Sequence, residues 1–277
     1  MREREWYVVW EVWEDTQRIF ESALPHLPPL PCLPCPLTPH SSLLTPHMEV
    51  QQIFDRIAPV YDRLNDLLSL GQHRIWKQMT VKWSQASLGD TCVDLCCGSG
   101  DLALRLARQV GANGRVYGVD FSSQLLAIAQ QRSQSQYPQP PISWVEADVL
   151  NLPFANNHFD AATMGYGLRN VIDIPCCLKE LHRVLKPGAK AAILDFHRPE
   201  NPQFRAFQQW YLDNLVVPAA RHFNLTEEYA YISPSLDRFP SGKAQVQLSQ
   251  EVGFATATHY PIANGMMGIL VLTKGWG

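Results

Sequence analysis

Short apolar runs alternate with amphipathic stretches along most of this chain from about residue 90 onward. Each apolar run ends near a glycine or an acid, as expected for a strand that is buried on both faces. The intervening stretches repeat their apolar residues every three or four positions, which predicts helices. The predicted strands lie near 91–95, 115–119, 142–146, 159–164, 189–195, 254–260 and 267–273. The predicted helices lie near 101–110, 122–134, 173–185, 201–215 and 242–252.

This alternation predicts an α/β fold in which a mostly parallel, seven-stranded sheet carries helices on both faces. The last two strands have no helix between them and are joined through Asn264-Gly265, a pair favoured in tight turns. The last strand is therefore predicted to run antiparallel. Ligands of such sheets bind at the carboxyl ends of the strands, where the strand order reverses, and the functional site is expected there.

The first 47 residues differ in composition from the rest. Prolines crowd residues 25–47, which excludes regular helices and central strands there. The first twenty residues contain five acids and three arginines, a composition that fits neither a signal peptide nor a transit peptide. Helical order begins at Met48. We expect residues 1–47 to be a dispensable extension and residues 48–277 to form one domain.

Two segments of that domain are expected to cover the site. Residues 48–85 have helical periodicity and form a predicted N-terminal helical cover. Residues 203–240 form an aromatic-rich insertion between the fifth and sixth strands. This insertion is either ordinary core or a lid over an apolar ligand, and both interpretations stay open.

Charge and cysteine content exclude several functions. A net charge of −3 gives no general attraction to nucleic acid. Seven cysteines, an odd number with two adjacent pairs, favour reduced thiols in a cytoplasmic compartment. Cys32 and Cys35 are spaced like zinc ligands, with His26, His40 and His47 nearby. Prolines separate these residues and no second such motif follows, so we predict no metal site.

The stretch VDLCCGSGDLALRLA, residues 93–107, marks the strongest candidate site. A predicted strand ends at Asp94, and Gly98-Ser99-Gly100 leads directly into a helix. Glycines there provide tight turns and let the backbone approach a nucleotide. Cys96 and Cys97 occupy positions next to the glycines. Because both are small and uncharged, we interpret them as packing residues of the turn, with Cys97 beside the ligand.

Acids at the ends of the next two strands extend this site. Asp120 ends the second strand, 20 residues beyond Gly100, where an acid can bind both ribose hydroxyls of a nucleotide. Phe121 follows it. Asp148 and Val149 follow the third strand and are expected to contact an adenine ring. Gly165, at the end of the fourth strand, completes the predicted cofactor-binding set. The spacing alone allows both NAD and S-adenosylmethionine, but Asp94 would repel a pyrophosphate and attract the cationic S-adenosylmethionine.

Three further motifs resemble one enzyme family. Tyr61-Asp62-Arg63-Leu64-Asn65 with Ser69, His73 and Trp76 is similar to the YDxMNxxxSxxxHxxW signature of the ubiquinone and menaquinone C-methyltransferases, the UbiE/MenG family. Gly167-Leu168-Arg169-Asn170 resembles its GLRN motif, and residues 183–188, RVLKPG, resemble its second signature. The resemblance covers about 49–277. It implies the class I, Rossmann-like methyltransferase fold, with S-adenosylmethionine as the methyl donor.

Two departures refine the resemblance. The chain has Asp195-Phe196-His197 where the family usually has Glu-x-Ser, and Cys96-Cys97 before the glycines. Both features resemble the branch from oxygenic phototrophs, which methylates 2-phytyl-1,4-naphthoquinone in phylloquinone biosynthesis. The resemblance therefore implies a lipophilic quinol substrate, an upstream quinone reductase and peripheral contact with a photosynthetic membrane. The oligomeric state stays open, with a homodimer as one option.

The catalytic expectations rest on the same resemblance. A quinone ring is electron-poor, so the reduced quinol is the expected nucleophile. Arg169 is expected to stabilise its ionised oxygen, since a guanidinium is a poor base. Asn170 would hold water or the second ring oxygen, or alternatively cap the next helix. Tyr61, Asp62 and His197 are the candidate proton acceptors.

Three alternatives remain at this point. The first is a C-methyltransferase acting on demethylmenaquinol or on a polyprenyl-benzoquinol. The second is an NAD-dependent oxidoreductase, which the charge of Asp94 disfavours. The third is a binding protein without catalytic activity, which the three strand-end acids and the intact residues 167–170 disfavour.

Overall fold

The computed structural model describes residues 71–216, 218 and 232–276 of the chain, and the fold is given for these residues. A seven-stranded sheet has the order β3-β2-β1-β4-β5-β7-β6. Its strands are β1 (Thr91–Leu95), β2 (Arg115–Asp120), β3 (Ile142–Glu146), β4 (Phe159–Gly165), β5 (Leu185–Phe196), β6 (Phe254–Ile262) and β7 (Met267–Lys274). β7 runs antiparallel to both of its neighbours, as predicted. The α/β fold with an antiparallel last strand is confirmed.

Seven helices accompany the sheet in the described residues. They are α1 (His73–Trp83), α2 (Asp101–Val110), α3 (Ser123–Gln134), α4 (Ile174–Val184), α5 (Pro202–Tyr211), α6 (Ile232–Arg238) and α7 (Gly242–Glu251). A π-helical turn, Leu212–Val216, continues α5, so the helix predicted over 201–215 changes its winding near its end. No helix among the described residues is long and apolar enough to cross a membrane.

The two faces of the sheet have separate cores because successive side chains of a strand point to opposite faces. Val93 and Leu95 pack with residues of α4, including Leu178 and Leu181. Cys92 points to the opposite face and packs with α1 and α2 there. The β1 side chains from Cys92 to Leu95 are all buried. A strand covered on both faces explains the continuous apolar run that the sequence shows.

The strand order fixes where a ligand can bind. β2 and β3 lie on one side of β1, and β4 and β5 lie on the other. The connections after β1 and after β4 therefore leave the same edge of the sheet and diverge, which opens a crevice between them. The sequence elements that were expected to carry function follow these strands.

Some predicted boundaries differ from the structure. β5 begins at Leu185, four residues before the predicted start, because Leu185 pairs with Phe159 across a register shift. Of the predicted helical cover 48–85, residues 48–70 lie outside the described residues, and α1 is the described part. Residues 217 and 219–231 of the insertion 203–240 also lie outside them. The extension 1–47, with its candidate zinc ligands, is likewise not described, and these domain assignments stay predictions.

Candidate active site

The turn between β1 and α2 uses three residues with positive φ. Cys96, Gly98 and Gly100 have φ values of 51°, 53° and 84°. The amide of Gly100 donates to the carbonyl of Cys97 at 2.9 Å, and α2 begins one residue later. A Cβ on Gly100 would lie 2.6 Å from the Trp144 ring, so this position has no space for a side chain. Both glycines serve the predicted turn, and Cys96 adds a left-handed residue that the sequence did not indicate.

Both cysteines of this turn are packing residues in the structure. Burial, followed by the charge of Asp120, raises the pKa of both thiols well above the ordinary value. They therefore stay protonated and cannot act as thiolate nucleophiles. A Cβ on Gly167 would lie 2.5 Å from the Cβ of Cys96, so the two turns after β1 and β4 touch at these residues. This contact explains why position 167 has no space for a side chain.

A cleft of about 1030 Å³, counting its open mouth, lies at the carboxyl ends of β1, β2, β3 and β4. Nine of the ten predicted cofactor-binding residues line it: Asp94, Cys97, Gly98, Ser99, Asp120, Phe121, Asp148, Val149 and Gly165. The tenth, Gly100, ends the turn whose earlier residues line the cleft. The structure therefore brings the predicted cofactor-binding set together in one crevice.

Asp94 carries an unsatisfied carboxylate oxygen in this cleft. The residue is fully buried, and the Thr163 hydroxyl donates to its Oδ1 at 2.7 Å. Its Oδ2 has no hydrogen-bond partner over the part of the chain that the structure describes. Burial raises the pKa of this carboxyl to about 7, although the Thr163 hydroxyl, the backbone N–H of Ala103 and the charge of Lys77 oppose the shift. A buried acceptor without a partner is costly unless a ligand supplies a donor.

Asp120 and Asp148 also shape their own turns. The Asp120 carboxylate accepts one backbone N–H on each oxygen, from Gly98 at 2.8 Å and from Ser122 at 3.0 Å. Asp148 Oδ1 accepts the backbone N–H of Leu150 at 2.9 Å. Each carboxylate oxygen can accept more than one hydrogen bond, so a structural bond does not by itself exclude a ligand. The sequence predicted the ligand role but not these structural bonds.

The turn after β4 contains a buried ion pair. Arg169 lies in a short 3₁₀ turn, Leu168–Asn170, and its Nη1 donates to Asp195 Oδ1 of β5 at 2.5 Å and to the Tyr166 carbonyl at 2.8 Å. The backbone N–H of Arg169 donates to the other oxygen of Asp195. The guanidinium also lies 5.1 Å from the centroid of the Phe196 ring. Arg169 Nε has no partner among the described residues.

Asn170 lines the cleft next to this ion pair. Its Nδ2 donates to the Tyr166 carbonyl at 3.1 Å, and its Oδ1 has no acceptor bond from any residue within 71–216, 218 and 232–276. The alternative role as helix cap is wrong, because Asp173 caps α4 by accepting the backbone N–H of Cys176 at 2.9 Å. Asn170 thus presents a buried oxygen near the cleft, in agreement with a role in holding a ligand.

His197 lies elsewhere, which corrects its prediction as a proton acceptor. Its Nε2 lies 3.0 Å from His259 Nε2 on β6 and 3.4 Å from Gln245 Nε2 on α7. Burial and the neighbouring His259 lower the pKa of His197 to about 3. The residue is 6% exposed, and it is not among the described residues that line the cleft. His197 is therefore a neutral packing residue of the sheet. Tyr61 and Asp62 lie outside the described residues and stay predictions.

The structure adds a cation that the sequence did not indicate. Lys77 of α1 is 4% exposed, lines the cleft, and donates from Nζ to Asp101 Oδ2 at 2.7 Å. Arg105 Nε contacts the other oxygen of Asp101 at 3.2 Å. Burial acts to raise the pKa of Asp101, but the charges of Lys77 and Arg105 outweigh it and hold the pKa at about 2. The sequence also did not indicate that Asp195 binds Arg169. Asp195 lies near the end of a strand, as the predicted acids do.

The sequence also matches the profile of one enzyme family. The profile of the ubiE/COQ5 methyltransferase family matches residues 44–274. The chain belongs to the ubiE/COQ5 family. This match covers both signatures and every described residue that lines the cleft after β1 to β4.

Relatives of this family member carry closely similar names. The 2-phytyl-1,4-naphthoquinone methyltransferase of Nostoc punctiforme is 76% identical over 82% of this chain and 98% of the relative. The enzyme of the same name from Synechocystis is 61% identical, covering 84% and 99%. The chloroplastic 2-phytyl-1,4-β-naphthoquinone methyltransferase of Arabidopsis thaliana is 51% identical, covering 80% and 86%.

Solved structures support the fold of this family member and no more. A SAM-dependent methyltransferase from Aquifex aeolicus superposes with a TM-score of 0.53 at 16% identity, covering 83% of this chain and 98% of that one. The [4+2]-cyclase SpnF superposes with a TM-score of 0.53 at 18% identity, covering 82% and 96%. Because a cyclase shares the architecture, the fold does not determine the reaction.

Proposed function

We propose that this chain transfers a methyl group from S-adenosylmethionine to a ring carbon of 2-phytyl-1,4-naphthoquinol, which is the last step in making phylloquinone. The observation that carries the proposal is the cleft after β1 to β4, where the strand-end acids meet the turn of Arg169 and Asn170. Relatives that are 51–76% identical and carry that substrate in their names support the choice of acceptor.

The residues of the cleft fit S-adenosylmethionine better than a dinucleotide. The unsatisfied Oδ2 of Asp94 suits a cationic ammonium, whereas an ionised carboxylate there would repel a pyrophosphate. Asp120 has acceptor capacity for ribose hydroxyls, and Asp148 with Val149 forms the wall for an adenine. When bound, S-adenosylmethionine supplies an electrophilic methyl group on sulfur. These contacts argue against the NAD-dependent alternative.

Arg169 is the residue that we assign to the ring oxygen of the acceptor. Asp195 neutralises most of its net charge, so the contribution of Arg169 depends on a directed N–H donor more than on long-range attraction. Its Nε has no partner in the described residues and is available for that donation. A donor or positive group beside a phenol favours the ionised form and lowers its pKa, which makes the neighbouring carbon more nucleophilic. Asn170 Oδ1 provides an acceptor for a water or a hydroxyl beside it.

We propose that the insertion covers this acceptor. α6 packs against the Leu168–Asn170 turn, and Arg198 joins it through an ion pair with Asp237 at 2.6 Å. In α5, Phe207 stacks near Trp210 and Tyr211, with centroid distances of 6.1 and 6.2 Å. These contacts support the lid interpretation for 203–240, with the aromatic residues suited to an isoprenoid tail. A peripheral membrane contact and a location at the photosynthetic membrane belong to the same proposal.

The proposal is tested by identifying the product. The purified chain is incubated with methyl-labelled S-adenosylmethionine and 2-phytyl-1,4-naphthoquinone that has been reduced chemically. The expected product is phylloquinone that carries the label on its ring carbon. A label on oxygen, or no transfer of label, would contradict the proposal.

The redox state of the acceptor should determine activity. Methylation should require a reductant that forms the quinol, because the oxidised ring is too electron-poor to attack an electrophilic methyl. The rate should rise with pH and reach half of its maximum below about 10, the pKa of an unperturbed phenol. Parallel assays with and without dithionite under argon provide the comparison. Equal rates with the oxidised quinone would overturn the quinol mechanism and remove the need for an upstream quinone reductase.

Replacement of Asp120 by alanine should weaken cofactor binding by about tenfold or more, because hydrogen bonds to a charged group contribute about 1.5–3 kcal/mol. The variant also loses the acceptor for the Gly98 amide, which loosens the turn. Calorimetric titration with S-adenosylhomocysteine measures the affinity. Asp160→Ala is the control, since Asp160 accepts from Thr91 at the opposite end of β1. Unchanged affinity in Asp120→Ala would remove Asp120 from the cofactor site.

A further inference from the structure

Lys77 is a buried lysine that has no part in the proposed reaction as described above. It lies on α1, outside the motifs that follow the strands, yet it lines the same cleft as Asp94. Its Nζ lies 5.8 Å from the centroid of the Tyr166 ring and 2.7 Å from Asp101 Oδ2. Burying an ammonium costs several kcal/mol unless charged partners compensate for the lost water. A lysine held in this position therefore needs sufficient negative charge around it.

The carboxylate that Lys77 contacts directly is shared with a second cation. Asp101 is shared between Lys77 and Arg105, so one carboxylate serves two cations at 2.7 and 3.2 Å. Arg132 adds a third positive charge that acts on Asp101. Lys77 is the member of this group that faces the cleft, since Arg105 and Arg132 are not among the described residues that line it. An ammonium has three donors, so Lys77 can bind an anion while it keeps Asp101.

An acidic acceptor lies in the same part of the cleft. The Oδ2 of Asp94 is buried and lacks a donor within the described part of the chain, and the charge of Lys77 acts on this carboxyl. The wall of the cleft thus presents one ammonium and one carboxylate that are not fully neutralised by their neighbours. A zwitterion with its own carboxylate and ammonium complements this pair of charges. The amino-acid end of S-adenosylmethionine is such a group.

We propose that Lys77 binds the α-carboxylate of S-adenosylmethionine while Asp94 binds its α-ammonium, an inference that rests on the proposed use of this cofactor. Lys77 thereby sets the position of the amino-acid end and fixes the sulfur relative to the β4 turn. The same contact ties α1 to the cofactor loop through Asp101, so the cofactor joins the helical cover to the sheet.

The experiment uses a pair of ligands that differ in one group. S-adenosylmethionine and decarboxylated S-adenosylmethionine share the sulfonium and the amino group, and only the first has the carboxylate. Calorimetric affinities of both are measured for the full-length chain and for Lys77→Met, Lys77→Arg and Arg105→Met. Arg105→Met is the matched control, because it also removes a cation from Asp101 but leaves the cleft unchanged. Thermal unfolding of each variant establishes that it folds.

The wild type should bind S-adenosylmethionine about tenfold or more tightly than the decarboxylated ligand, as expected for a charge-assisted hydrogen bond. Lys77→Met should lose this preference by weakening only the carboxylate-bearing ligand, Lys77→Arg should retain most of it, and Arg105→Met should retain all of it. Equal wild-type affinities for the two ligands would overturn the inference, even if Lys77→Met failed to fold. Equal weakening of both ligands in Lys77→Met would also overturn it. No binding of either ligand to the wild type would instead contradict the proposed cofactor.

Discussion

Replacement of Arg169 by lysine is expected to lower kcat by about 100- to 1000-fold, the usual loss when a donor to a developing oxyanion is removed. Arginine donates from Nη1 to both Asp195 and the Tyr166 carbonyl and keeps Nε available. Lysine retains the charge but has a single nitrogen and therefore no counterpart of Nε. Affinity for S-adenosylhomocysteine should change little, because Arg169 is not one of the described residues that line the cofactor cleft. Steady-state kinetics with the quinol and calorimetry measure the two effects separately.

Arg183→Lys is the matched control for this experiment. Arg183 also forms an ion pair, with Glu180, and donates to the carbonyls of Leu152 and Phe154, but it lies on α4 away from the cleft. Its replacement should lower thermal stability and leave kcat within about twofold, because its bonds are structural. If Arg169→Lys resembled this control, with reduced stability and normal kcat, Arg169 would be a structural residue.

Cofactor affinity should fall about tenfold or more between pH 7 and pH 5.5. The pKa of Asp94 is raised to about 7 by burial, so its carboxyl is increasingly protonated below that pH and cannot attract an ammonium. Because the ionised form of Asp94 binds the ammonium, cofactor affinity rises with pH until Asp94 is fully ionised. The other charged groups that act on Asp94 are Lys77, which lowers its pKa, and Asp101, which raises it. Asp101 stays ionised between pH 5.5 and pH 7, because its pKa is about 2.

S-adenosylhomocysteine is the suitable probe, since it keeps the ammonium and lacks the sulfonium. Asp94→Asn preserves the size of the side chain and its bond from Thr163, and removes the titration. This variant should bind weakly at both pH values, with little change between them. A pH dependence that persists in Asp94→Asn would show that another group causes it.

The sequence predicted the strands well because most of them are buried on both faces. A run such as TCVDL packs against α2 on one face and α4 on the other, so it is mostly apolar, and its buried acid, Asp94, lies near the carboxyl end. The early start of β5 could not be predicted in the same way. Lys186-Pro187-Gly188 resembles a turn by composition, yet it lies within β5, where the pairing with β4 shifts its register.

The cofactor side of the site was also predictable, for a geometric reason. Acids and glycines at the ends of parallel strands meet at one edge of the sheet, whatever the loops between them do. The partners of Arg169 and His197 depend instead on contacts between distant segments. Arg169 meets Asp195 across neighbouring strands, and His197 is buried by His259 and Gln245 from β6 and α7. The position of His197 close to a strand end gave no sign of that burial.

Lys77 illustrates a different limit. Nothing in HRIWKQMTVKW distinguishes Lys77 from Lys82 in charge or residue type, yet one is 4% exposed and the other is solvent-exposed. The difference arises from the face of α1 that packs on the sheet beside the cleft. Only the tertiary structure shows that a cation of this helix reaches Asp101 and the cofactor-binding residues.

The central claim is the identity of the methyl acceptor, and a direct comparison of three quinols tests it. The acceptors are 2-phytyl-1,4-naphthoquinol, demethylmenaquinol and a polyprenyl-benzoquinol, each held reduced and presented in the same detergent with labelled S-adenosylmethionine. The account predicts that kcat/KM is highest for 2-phytyl-1,4-naphthoquinol and about tenfold or more lower for the benzoquinol, because ring and tail contacts both differ. Comparable or greater kcat/KM for the benzoquinol would contradict the account.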